Sequence, residues 1–253
     1  MKVKTIPILS DNYSYLIIDE RNKYCSAIDP ASPEEIIPFI EENKLKLKYI
    51  LNTHYHNDHT GGNLELKEKY KCKIYGPDKE KDQIPGIDNL LKENDIIKIH
   101  GYEAKIIETP GHTAGHIIYF FKDHKILFSG DTLFVLGCGK LFEGTPQIMW
   151  GSLLKIRNLP NETKIYCGHE YSKSNADFAL SIEKNNNKLI KKSEEINKLV
   201  NENSFTVPTT VEEEIESNPF LRADVQNIKK NIEMESSSPE EVFGEIRRRK
   251  DNF

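Results

Sequence analysis

The rhythm of apolar and polar positions changes partway along the chain. Up to about Lys164, apolar residues come in short runs rich in β-branched and aromatic side chains. These are Tyr13 to Ile18, Lys48 to Thr53, Ile96 to His100, Ala104 to Glu108, His116 to Phe121, Lys125 to Ser129 and Lys164 to Cys167. Gly, Pro, Asn and Asp bound most of them, so each reads as a strand closed by a turn. Helical spacing falls between them. Ser32-Pro33-Glu34-Glu35 has the form of a helix start, with Ser32 as N-cap, Pro33 in the first turn and Glu35 at the capping-box position. Apolar Ile36, Ile37, Phe39 and Ile40 follow, and Met149 to Ile156 is a second helical pattern. After Tyr171, helix-period segments take over at Ala176 to Glu183, Leu189 to Val200 and Pro239 to Arg248. Asn185-Asn186-Asn187 reads either as a helix break or solvated helix end, or as local compositional bias. No internal repeat is visible. The pattern predicts an α/β domain over residues 1–171 and an all-α domain over 172–253.

Composition narrows the partners. The chain has 253 residues, enough for one large domain or two ordinary ones. Lys plus Arg number 35 against 40 Asp plus Glu, a net charge of −5. That balance argues against a nucleic-acid groove or an anionic membrane surface as the main partner. The longest apolar run, Ile117 to Phe121, falls far short of the roughly 18 residues a membrane span needs. Met1 to Asn12 lacks the apolar stretch of a secretory signal. Cys25, Cys72, Cys138 and Cys167 are too scattered for a disulfide scaffold, which favours reduced thiols. A cytoplasmic globular protein is expected, and what it acts on must come from its motifs.

The chemistry is concentrated at the ends of strands. His54-Tyr55-His56-Asn57-Asp58-His59 places four potential metal ligands in one short stretch. In extended backbone His54 and His56 point the same way. A turn then brings Asp58 and His59 round towards a second ion. Imidazoles and carboxylates suit Zn, Fe or Mn, and the lack of nearby thiolates argues against a structural zinc knot. Pro110-Gly111-His112, Ser129-Gly130-Asp131 and Cys167-Gly168-His169 each add one ligand after an apolar run. Together they supply seven ligands, as two ions need when each keeps an open position and one carboxylate, naturally Asp131, bridges them. His116 reads as a packing or supporting residue, and His100 and His124 as surface residues. Neither Cys138 nor Cys167 has the positive surroundings or dedicated base of a nucleophile.

Thr53 to Gly62, Thr109 to His116, Ser129 to Phe134 and Gly168-His169 resemble the motifs of the metallo-β-lactamase superfamily. Gly137-Cys138-Gly139-Lys140 with Phe142-Glu143-Gly144, and Cys167 to Tyr171, resemble more narrowly the glyoxalase II (hydroxyacylglutathione hydrolase) family. So do Asn218-Pro219-Phe220-Leu221-Arg222 and Arg247 to Phe253 in the tail. The likeness spans essentially the whole chain. It implies an αββα sandwich with a binuclear site at the sheet edge, followed by a helical domain that helps to bind glutathione. It implies that His54, His56 and His112 hold one ion, that Asp58, His59 and His169 hold the other, and that Asp131 bridges them. The ions would be Zn, with Fe or Mn as alternatives. Substrate positions carried over in the same way are Lys140, Phe142, Tyr171, Arg247 and Lys250. Phe142 stands where many members have Tyr and offers no hydroxyl. The implied reaction is hydrolysis of S-(2-hydroxyacyl)glutathione, such as S-D-lactoylglutathione, to glutathione and D-lactate, the second step of methylglyoxal detoxification. A metal-bridged hydroxide, oriented by Asp58, would attack the thioester carbonyl. The rivals are a lactonase, persulfide dioxygenase or β-lactamase of the same superfamily, a metal-dependent nuclease, and a non-catalytic binding module.

Overall fold

The apolar runs become strands close to their predicted places. A computed structural model describes residues 1–253, which form two units: Met1–Glu108 with Gly115–Gly130, and Thr109–Ala114 with Asp131–Phe253. In the first unit the chain runs β1 (Lys2–Ile8), β2 (Asn12–Asp19), β3 (Tyr24–Ile28), α1 (Ile36–Glu42), β4 (Lys46–Leu51), α2 (Asn57–Thr60) and α3 (Asn63–Tyr70). It continues through β5 (Lys73–Pro77), β6 (Asn89–Leu91), β7 (Ile96–Ile99), β8 (Tyr102–Glu108), β9 (Ile117–Phe121) and β10 (Ile126–Gly130). Strands β1 to β6 make one sheet in sequence order. The β1–β2 and β2–β3 pairs are antiparallel and the later ones parallel. Strands β7 to β10 form an antiparallel meander.

Both faces of the first sheet are covered, which explains why β2 is buried along its whole length. On one face Leu16, Ile18, Ala27, Leu47, Ile50 and Ile74 pack against Ile36 and Ile40 of α1 and Leu66 of α3. Each Leu or Ile buried there contributes about 1.5–3 kcal/mol. On the other face Tyr15 meets Phe128 of β10 at 5.5 Å between ring centroids. The Tyr119 hydroxyl of β9 donates to the backbone oxygen of Asn52 at 2.7 Å. Strand β1 was not foreseen. It is an edge strand whose outer residues are polar and largely exposed, so its apolar signal is weak.

The Ser32 cap does not form as expected. The helix begins at Ile36 with Glu35 at its N-cap and no side-chain cap bond. The Ser32 hydroxyl instead donates to the Glu34 and Glu35 carboxylates. His100 also departs from expectation. It is half-buried, with Nε2 2.7 Å from the Ser26 hydroxyl and its ring against those of Tyr24 and Tyr49. Burial pushes its pKa down. His124 is exposed, as expected.

The second unit holds β11 (Leu133–Phe134), β12 (Gly137–Cys138), α4 (Pro146–Arg157), β13 (Lys164–Cys167), α5 (Ser172–Ile182) and α6 (Asn187–Asn201). Then come β14 (Thr209–Thr210), α7 (Val211–Ser217), α8 (Gln226–Asn231) and α9 (Pro239–Asp251). The helix break spans residues 183–186, Asn187 already opens α6, and Asn186 caps that helix by accepting from Lys188 N at 3.0 Å and Leu189 N at 3.3 Å. Trp150 of α4 packs on Phe243 of α9, with ring centroids 6.2 Å apart. The β11–β12 hairpin is held from below. Asn218 donates to Gly137 O at 3.0 Å, and Glu214 accepts from Leu136 N at 2.9 Å. No helix is long and apolar enough to cross a membrane.

Candidate metal centre

The first set of candidate ligands is built on the corner after β4. Asn52 staples this corner, donating to His59 O at 3.1 Å and accepting from Asn63 Nδ2 at 2.8 Å. Extended backbone at His56 gives way to the single turn of α2. The turn fits closely under the preceding segment: Gly62 N donates to Pro30 O at 2.8 Å, and a Cβ on Gly62 would lie 2.5 Å from that oxygen. Only glycine allows that approach. Within this set His54 Nε2 is 3.1 Å from His56 Nδ1, and His59 Nε2 is 3.7 Å from Asp58 Oδ2. The expectation that His54 and His56 point the same way is met.

The histidine rings are aimed by their far nitrogens. Asp29, just after β3, accepts from Thr53 N at 2.8 Å and from the Thr53 hydroxyl at 2.7 Å. Its Oδ2 is 3.1 Å from His59 Nδ1, and Thr53 Oγ1 is 3.0 Å from His54 Nδ1. Both imidazoles therefore present Nε2, the arrangement by which outer partners fix metal-binding histidines. His116 lies flat against His54 at 4.9 Å and is fully buried, a packing role. Gly130, at φ +48, leaves β10 where a Cβ would strike Thr53 Oγ1 and His116 Nε2.

The second set lies in the other unit. His112 Nε2 and His169 Nε2 stand 3.4 and 3.3 Å from the same oxygen, Asp131 Oδ2. All three residues are buried. His112 Nδ1 is 2.9 Å from Lys140 O, so this ring too turns Nε2 inward. The Tyr171 ring stacks on His169 at 4.7 Å and 7°. Two imidazole nitrogens converging on one buried carboxylate oxygen, with the rings anchored from behind, are a donor set that suits a divalent cation.

The carried-over substrate positions are spread through the same unit. Lys140 is exposed after β12, with its ammonium 5.8 Å from the Phe142 ring centroid. Phe142 is 59% exposed and meets the His112 ring edge-on at 5.2 Å. Tyr171 is exposed. Arg247 is buried on α9, donating to Cys138 O at 2.8 Å and pairing with Asp251 at 3.0 Å. Lys250, one turn on, donates to the Ser174 hydroxyl at 2.9 Å. Burial, helped by neighbouring Arg247, pulls its pKa down to about 8. The other basic residues of the run, Arg248 and Arg249, pair with Glu245. Burial pushes Cys138 up to about 11 and Cys167 up to about 12, which agrees with their reading as non-nucleophiles.

Sequence reasoning passed over Asp29, Thr53 and Asn12. Asp29 has one sequence signal, an acidic residue closing the apolar run before Pro30.

Residues 9–169 match the metallo-beta-lactamase superfamily, and residues 170–253 match the hydroxyacylglutathione hydrolase C-terminus. A solved structure of ETHE1 from Myxococcus xanthus has a TM-score of 0.71 at 22% identity, covering 98% of this chain and 90% of that one. The B3 metallo-beta-lactamase BLEG-1 gives 0.68 at 23% identity, covering 87% and 99%. These matches define the class, an α/β metallo-β-lactamase fold with a His/Asp cluster suited to divalent metal ions and a helical C-terminal region. Hydroxyacylglutathione hydrolases of Pelagibacter ubique and Methylococcus capsulatus are 46% and 42% identical over 253 residues, spanning all of this chain and 100% and 99% of theirs. The chain belongs to the hydroxyacylglutathione hydrolase family.

Proposed function

We propose that the chain hydrolyses S-(2-hydroxyacyl)glutathione, with S-D-lactoylglutathione as the type substrate, to glutathione and the 2-hydroxy acid. The convergence of His112 and His169 on Asp131 supports this reading, because Asp131 would then be the carboxylate to serve two ions. We assign His54, His56 and His112 to one ion and Asp58, His59 and His169 to the other, with Asp131 between them. Zinc is the proposed ion, and the same donors accept Fe or Mn. Bound divalent ions acidify water at neutral pH and polarise a carbonyl.

The chain's own residues do the rest. Asp58 orients the attacking water towards the thioester carbonyl. Lys140, Arg247 and Lys250 bring positive charge to the two carboxylates of glutathione. Phe142 and Tyr171 offer ring faces to the tripeptide. A thiol of ordinary pKa about 8.5 leaves readily as the thiolate, so no strong general acid is needed. Residues 1–171 serve as the catalytic domain and 172–253 as the glutathione-binding domain, a division supported by the two family matches meeting at residue 170. The proposed setting is a cytoplasmic monomer, without nucleic acid or membrane.

The test is thiol release from S-D-lactoylglutathione by purified protein, with metal quantified in the same sample. Rapid release with about two ions per chain is the expected result. Two ions without release would reject the substrate, and lactones would be tried next.

A further inference from the structure

We propose that Asn12 is a positioning residue for Asp58, an inference that rests on Asp58 serving the site as described above. Asn12 is the first residue of β2 and is 4% exposed. Its side-chain Nδ2 donates to Asp58 O at 2.9 Å and to Asp58 Oδ2 at 3.1 Å. An amide nitrogen carries two hydrogens, so one is available for each acceptor. The two bonds do different things. The first fixes where α2 sits, and the second fixes where the carboxylate points.

Asp58 needs such help. It lies on a helix of only four residues, too short to be stable by its own ladder, and its side chain is 43% exposed. Strand β2 is rigid by contrast, paired with β1 on one side and β3 on the other and buried throughout. Asn12 therefore ties a mobile type of group to a fixed sheet. Its chemistry also fits the task. A Lys or Arg here would hold Asp58 by neutralising it and would compete with a cation. An amide holds the carboxylate and leaves its charge in place.

Asn12→Ala removes both bonds, while Asn12→Asp keeps the shape and sets an acceptor against the carboxylate. Zn²⁺ alone is titrated into apoprotein against a chromophoric chelator. The expected result in both variants is a loss of about 10–100-fold in affinity for one of the two ions, with the other unchanged. The kcat for S-D-lactoylglutathione falls by a similar factor, while KM stays within about twofold. In an Asp58→Ala background, adding Asn12→Ala changes Zn²⁺ affinity no further, because both substitutions cut the same link. Wild-type Zn²⁺ affinity in both single variants overturns the proposal. So does a raised KM at unchanged affinity, which would make Asn12 a substrate contact. The titration uses no substrate, so its outcome is independent of whether the thioester is cleaved. If the Ala variant fails to fold, the Asp variant carries the test.

Discussion

The two sets of candidate ligands are built in opposite ways. His54, His56, Asp58 and His59 come from one corner after β4, and local backbone geometry arranges them. His112, Asp131 and His169 come from three separate strand ends, and only the folded unit brings them within 3.4 Å of a shared oxygen. The local set is aimed by its support, the Asp29–Thr53 network. The dispersed set is held from behind by Lys140 O and the Tyr171 ring, and it also converges on Asp131. The difference teaches that a cluster legible as one compact motif still depends on residues far from it, while residues scattered over several strand ends carry their own cross-links.

Removing the point of convergence tests this most severely. Asp131→Ala should lower kcat/KM on the order of 10³-fold or more and reduce bound metal, as read by steady-state kinetics and elemental analysis. Full activity would remove Asp131 from the site. Next comes the support of the local set. Asp29→Ala frees the far nitrogen of His59 and should weaken metal binding about 10–100-fold, measured by chelator competition. An unchanged affinity would mean the local corner aims its own rings.

Two further substitutions lie outside both sets and should leave metal content alone. Lys250→Ala should raise KM about tenfold or more through loss of a charged hydrogen bond, with kcat little changed. The pH dependence has a definite sign. With its pKa drawn down to about 8, Lys250 is cationic below that value and neutral above it, so KM should climb as pH passes 8. A Lys250→Arg enzyme, charged throughout, should not show that climb. The smallest effect is expected for Phe142→Tyr, where one added hydroxyl should lower KM by a factor of a few, about 0.5–1.5 kcal/mol. An unchanged KM would place that ring away from substrate.

Much of this arrangement was legible in the chain. The strands over residues 13–18 and 117–121 announced themselves because buried strands are apolar along their whole length. The local ligand set was visible as a motif, and the strand-end ligands by their neighbouring glycines. Other features depended on context that no local pattern carries. The same tetrapeptide, Ser-Pro-Glu-Glu, occurs at 32–35 and at 238–241. At Ser238 it forms a capping box with Glu241. At Ser32 it does not, because the chain there is pinned beneath Gly62 through Pro30 and the turn must finish before the helix begins. Arg247 and Arg248 are neighbours in one basic run, yet one is buried against Cys138 O and the other is exposed. Asn12 sits 46 positions from Asp58, and nothing in the intervening chain links them.

The burial of all four cysteines bears on how such an enzyme would age in service. Cys25 and Cys167 are pushed up to about 12, and Cys72 and Cys138 to about 11. At pH 7 no more than about one thiol in 10⁴ is then ionised, and the thiolate is the form that exchanges with disulfides. A protein that liberates glutathione at its own surface would be bathed in its product and in that product's oxidised dimer. With no accessible thiolate, it would gain no mixed disulfides and should resist alkylating poisons. Its working life would be governed by retention of its metals.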